Sequence, residues 1–139
     1  MEQVNSGVIK HNNDADISHI HEDHQALFNY IEKLTDIASQ PKNHQYAITI
    51  LENFIAFFLE HIIKEEQILQ QYLTAKIVED HASLHTNELI YLDKSLATLK
   101  SNVSAHIIQT IAAELNQEFK NHIARYDNDI LQKLMALKK

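Results

Sequence analysis

The chain has 139 residues, enough for one ordinary domain with a real core and too few to suggest two. A formal charge of −7 with only 12 Lys and Arg, in no strong cluster, argues against a nucleic-acid or anionic-membrane surface. The absence of cysteine removes disulfides, Cys-zinc sites and thiol nucleophiles, while one Gly and one Pro among abundant Leu, Ile, Ala, Glu, Lys and Gln suit long helices with few tight turns.

Residues Met1 to Ala15 hold Asn5, Gly7, Asn12, Asn13 and Asp14 without a clear period, and read as a surface arm ahead of a domain at 16–139. This stretch is polar and lacks the basic-then-apolar order of a signal peptide, from which a cytoplasmic location is expected. From Ile17, the positions Ile20, His24, Leu27, Ile31 and Leu34 step by threes and fours after possible N-caps at Asp16 or Ser18, which predicts a first helix ending near Gln40. Pro41 and Asn43 mark a turn, because proline disfavours helix at the residue before it. A second helix is expected from about His44 to about Gln71. Its most apolar run, Phe54 to Ile63, is broken by Glu60, His61 and then Lys64, well short of a membrane span. After a break around Tyr72 to Ala75, Val78, His81, His85, Leu89, Leu92, Leu96 and Leu99 carry a third helix. Ser101, Asn102 and Ser104 offer the next turn and an N-cap, and Ile108, Ile111, Leu115, Phe119, His122, Tyr126, Ile130 and Leu134 carry a fourth. Short connections make neighbours antiparallel, so the expected fold is an all-α, up-down four-helix bundle with a short N-terminal arm.

Several of these apolar stripes contain side chains that are costly to bury. His61 and Glu65, four residues apart, lie only about 40° apart around a helix, in the register of Leu51, Phe54, Phe58 and Ile68. A carboxylate placed there needs a cation or a metal beside it. Residues equally far from a turn on antiparallel helices lie at one height. His24 is 17 residues before Pro41 and His61 is 17 after His44; His85 is 17 before Asn102 and His122 is 18 after Ser104. Glu65 and His81 lie eight residues either side of Leu73, and Asp127 follows His122 by about a turn. One layer therefore collects His24, His61, His81, His85, His122, Glu65 and Asp127. An isolated core histidine is more often a hydrogen-bonded structural residue than a ligand; five histidines and two carboxylates in register reverse that expectation.

Five imidazoles and two carboxylates form a nitrogen-rich set of borderline hardness, suited to iron, manganese, zinc or cobalt rather than calcium or magnesium. Seven ligands are too many for one ion, so two ions bridged by the carboxylates are expected.

With the spacings His61-x-x-x-Glu65, His81-x-x-x-His85 and His122-x-x-x-x-Asp127 plus a lone His24, residues 16 to 135 resemble the hemerythrins, in particular the single-domain bacterial hemerythrin-like (HHE cation-binding) proteins. The resemblance implies two iron ions in a non-haem, oxo- or hydroxo-bridged centre. On that pattern His81, His85 and His122 hold one iron, His24 and His61 the other, and Glu65 and Asp127 bridge. The iron with two histidines keeps a position open for dioxygen, so the implied role is reversible oxygen binding as carrier, store or sensor. The ferritin-like alternative needs Glu-x-x-His pairs on two helices, and this chain has none. Two other classes remain open: a diiron redox enzyme handling peroxide, nitric oxide or iron-centre repair, with Glu118 and Tyr126 as weak proton sources, and an oxygen- or metal-responsive signalling module using residues 1–15.

Leu27, Ile62, Phe119 and Ile123 sit within one to three residues of the ligands and are expected to line the open iron position; ordinary core packing fits them equally. Glu118 stands four residues before His122, where bacterial members often carry Trp; directed at the pocket, it would admit water and quicken autoxidation. Glu66 points about 100° away from Glu65 and is expected to face solvent or a partner of a ligand. Asp23 and Asp80 read as surface charges, and His11, His19, His21, His44 and His106 as solvated. The spacing of five from His122 to Asp127 places the two about 140° apart on a regular helix, which predicts either a local widening such as a π-bulge or a shifted bridging geometry between them.

Overall fold

The computed structural model describes residues 2–124 together with 132, 133, 135 and 136. Among them are four α-helices, α1 (Glu2–Ala38), α2 (Tyr46–Tyr72), α3 (Ala75–Ser101) and α4 (Ala105–His122), with a short 3-10 turn at Pro41–Asn43 and no strand. Helix α1 packs on α2 and α4, and α2 on α3, with a thinner α3–α4 contact closing the ring. This is the antiparallel four-helix bundle that the turn spacing predicts.

The connections stop and restart the helices by local chemistry. Asn43 N–H donates to the Gln40 carbonyl across the proline turn, and the His44 imidazole donates to the Ala38 carbonyl at 3.1 Å, satisfying an acceptor at the end of α1. His44 is thus half-buried and engaged rather than solvated. Thr74 and Ser104 cap α3 and α4, their hydroxyls accepting from the Ile77 and Ile107 amides at 3.5 and 3.3 Å.

One expectation is corrected. Residues 2–15, read as an irregular arm, are helical, and α1 passes Asp16 and Ser18 without a cap. Adding a residue to an established helix costs far less than nucleating one, so a stretch with no apolar period can prolong α1 once its packed part is formed.

The main core is built of Leu27, Ile31, Leu34, Leu51, Phe54, Phe58, Leu92, Leu99, Ile108, Leu115 and Phe119, all essentially inaccessible to water. Each such side chain contributes about 1.5–3 kcal/mol relative to leaving it exposed. Phe54, Phe58 and Phe119 meet edge to face and stacked, with ring centroids 5.1 to 6.3 Å apart. A smaller apolar cluster of Ile20, Ile68 and Leu69, flanked by Tyr72, Leu73, Ile77 and Val78, fills the opposite end. Helix α2 alone among the described helices is long and apolar enough to cross a membrane by length and composition, but Leu51, Phe54, Phe58 and Leu69 are buried within the bundle.

Candidate metal centre

Between the two apolar clusters, the bundle buries His24, His61, Glu65, His81, His85 and His122, none more than 7% exposed. These are six of the seven positions that the turn-distance argument places in one layer; Asp127 lies outside the described residues. Each sits one turn from an apolar residue of the flanking clusters: His24 between Ile20 and Leu27, Glu65 between Ile62 and Ile68 or Leu69. The helical period that builds the core therefore also aims these polar side chains at the axis.

Glu65 is the centre of the arrangement. Its Oε1 lies 3.0 Å from His81 Nδ1 and 3.4 Å from His85 Nε2. Its Oε2 lies 2.9 Å from His61 Nε2 and 3.9 Å from His24 Nε2. Two sets of donors result, Glu65 with His81, His85 and His122, and Glu65 with His24 and His61, each with its donor atoms within 4.8 Å of one another. The imidazoles stand close, with centroids 4.3 Å apart for His81 and His85, 5.5 Å for His85 and His122, and 5.2 Å for His24 and His61.

This donor set fits a metal centre. The His85 Nε2 atom is buried with no hydrogen bond, although it faces a carboxylate, a costly arrangement for a site filled by protons alone. Imidazole and carboxylate donors converging at this range match a divalent transition ion.

On the far side of three rings stand carboxylates. His61 Nδ1 donates to Asp23 at 2.9 Å, His85 Nδ1 to Glu66 at 3.3 Å, and His122 Nδ1 to Glu88 at 2.9 Å. Such bonds fix the tautomer and leave the other ring nitrogen to bind the ion. Asp23 is buried, so its reading as a surface charge is corrected; Asp80 is exposed, as expected. Glu66 proves to be a partner of a ligand position. Glu88 escaped the sequence reading, and its i+3 spacing from His85 on the same helix was the available signal. Burial opposes ionisation of Asp23, yet the His61 hydrogen bond and charge, with Lys64 and His19 adding, hold its pKa below the usual value. Burial likewise opposes charging of His61, but Asp23 and Glu65 on its two nitrogens push it up to about 9.

Leu27, Ile62 and Phe119 lie in the core beside the cluster, and Ile123 is half-buried just past His122. Phe58 joins them, its ring 5.9 Å from His85 and 6.4 Å from His61. Glu118 is exposed, and lines a cavity of about 200 Å³ with Leu84, Asn87, Glu88, Tyr91 and Phe119; of the two directions open to it in the sequence, the solvent-facing one is found. One helical residue separates it from Phe119, and that rotation of about 100° turns it to solvent. His19, His21 and His106 are exposed, and the side chain of His11 lies outside those described. Helix α4 widens into a π turn at residues 123–124, directly after His122, where the spacing to Asp127 called for extra rotation.

The family model described as hemerythrin HHE cation binding domain matches residues 15–134. The chain belongs to this family. The match covers the four-helix region and the whole buried His and Glu cluster, so this hemerythrin-family protein carries a metal-binding site at the centre of its bundle. No curated protein and no solved structure matched the chain.

Proposed function

We propose that this hemerythrin-family chain is a non-haem diiron protein that binds dioxygen reversibly, as carrier, store or sensor. The observation that carries the reading is Glu65, whose two oxygens address separate sets of imidazoles, His81 and His85 on one side and His24 and His61 on the other. A single buried carboxylate so placed suits a bridge between two cations.

On this reading His81, His85 and His122 would hold one iron and His24 and His61 the other, with Glu65 and Asp127 as the carboxylates shared between them. A bound ferrous pair would supply the electrons and the open coordination position that reversible dioxygen binding requires. The chain's own contribution is to hold the donors and keep water out. Asp23, Glu66 and Glu88 orient rings through their Nδ1 atoms, while Leu27, Phe58, Ile62 and Phe119 form a dry wall. Dryness slows loss of bound oxygen as superoxide. Of the two proton-source candidates for an enzyme, Glu118 is exposed and Tyr126 lies outside the described residues.

Anaerobic loading with ferrous iron, followed by exposure to air, tests the proposal through metal content and the visible spectrum. Two irons per chain and an absorption band that bleaches on deoxygenation are expected. A chain that holds fewer than two ions, or that consumes oxygen with rapid turnover of a substrate, overturns it.

A further inference from the structure

Three carboxylates outside the ligand pattern surround the cluster, and their arrangement is regular. Asp23 of α1 accepts from His61 of α2, Glu66 of α2 from His85 of α3, and Glu88 of α3 from His122 of α4. Every consecutive helix pair carries one such bond, always with the carboxylate on the earlier helix and the imidazole on the later. These are not surface pairs. The side chains of Asp23 and Glu88 are 12% and 11% exposed and that of Glu66 25%, while the imidazoles they meet are at most 4% exposed.

We propose that Asp23, Glu66 and Glu88 form a ring of charge that sets the redox poise of the centre, drawing the bound metal toward its more highly charged state. The inference rests on the diiron reading above and goes beyond it, because nothing in the ligand pattern requires these residues. An anion accepting from the outer nitrogen of an imidazole makes the inner nitrogen a stronger donor, and stronger donors favour the ferric ion. The charges themselves act in the same direction. In a water-poor interior they are weakly screened, and the ring brings three of them where the described ligands bring Glu65 alone. Loss of an electron from a ferrous ion to dioxygen, giving a ferric ion and superoxide, is thereby eased. Among the roles proposed above, the ring therefore favours a sensor over a store, and works against the protection that the dry wall gives.

Asp23→Asn, Glu66→Gln and Glu88→Gln keep a carbonyl acceptor for each ring N–H and remove one charge each. Midpoint potential, autoxidation rate and metal content are measured on each variant and on the triple variant, with Glu60→Gln as a control whose exposed carboxylate is screened by water. Each ring variant is expected to retain two irons, show a raised potential and autoxidise about tenfold more slowly, with larger changes in the triple variant. The control should match the wild type. Unchanged potentials in single variants that are folded by circular dichroism and hold two irons overturn the ring and leave the diiron reading standing. A wild-type protein that holds no pair of irons overturns both.

Discussion

Asp23 and His61 are joined across α1 and α2 by a 2.9 Å hydrogen bond, and Glu65 grips the other nitrogen of the same ring at the same distance. Without metal, this double grip keeps His61 protonated to about pH 9. Its folded pKa lies above the ordinary 6.5, so the stabilisation is complete below pH 6.5 and is lost as pH rises through 9. The interaction is on the order of 3 kcal/mol, shared with Asp23 and counted once. Urea unfolding of chelator-treated protein should show lower stability at pH 9.5 than at pH 6, and Asp23→Asn should flatten that dependence.

Metal must displace the His61 proton. Binding is therefore expected to release protons, and affinity to weaken as pH falls below about 9. Calorimetry of metal binding in buffers of different ionisation enthalpy counts the protons released.

Glu65→Ala removes the carboxylate common to both donor sets and should leave at most one ion per chain by elemental analysis. Glu66→Ala touches only the outer nitrogen of His85. It should still reach full occupancy at saturating metal, with affinity reduced about 10- to 100-fold.

Phe58 packs on Phe54, Phe119, His61 and His85 at once. Phe58→Ala should cost about 3–5 kcal/mol in the metal-free protein, measured by denaturant unfolding. In the loaded protein it should speed autoxidation by letting water reach the imidazoles.

Tyr91 of α3 donates to Glu114 of α4 at 2.7 Å, a tie across the thinnest of the contacts between successive α-helices. Burial first, and the Glu114 bond next, push its hydroxyl up to about 12. Tyr91→Phe should lower stability by about 0.5–1.5 kcal/mol in denaturant titrations and leave metal content unchanged.

The metal layer was legible because helix geometry is periodic. His61 and Glu65 share a face with Phe54 and Phe58, and distance from a turn converts directly into height along the bundle. The Ser104 cap and the widened turn after His122 follow from equally local rules. The ring of carboxylates was not legible in the same way. Whether Asp23 meets solvent or His61 depends on how α1 rolls against α2, and one helix's period does not encode that angle. The direction of Glu118 was open for a related reason: its spacing of four from His122 leaves it only about 40° from that ring, and how α4 packs against its neighbours decides whether such a position is covered or exposed. Residues 2–15 escaped because a helix continued from a packed segment needs no apolar stripe of its own.

The common height of His24, His61, His85 and His122 has a consequence for how such a chain can change in length. Inserting one residue between the Pro41 turn and His61 would rotate the imidazole by about 100° and raise it by about 1.5 Å, removing it from Glu65. The same insertion within the Pro41–Asn43 turn, which buries no residue, would leave the described ligand positions on their inward faces. Length variation is therefore tolerated in the turns and forbidden between a turn and its ligand, and a scan of single insertions would trace the metal layer as a set of intolerant segments flanked by permissive loops.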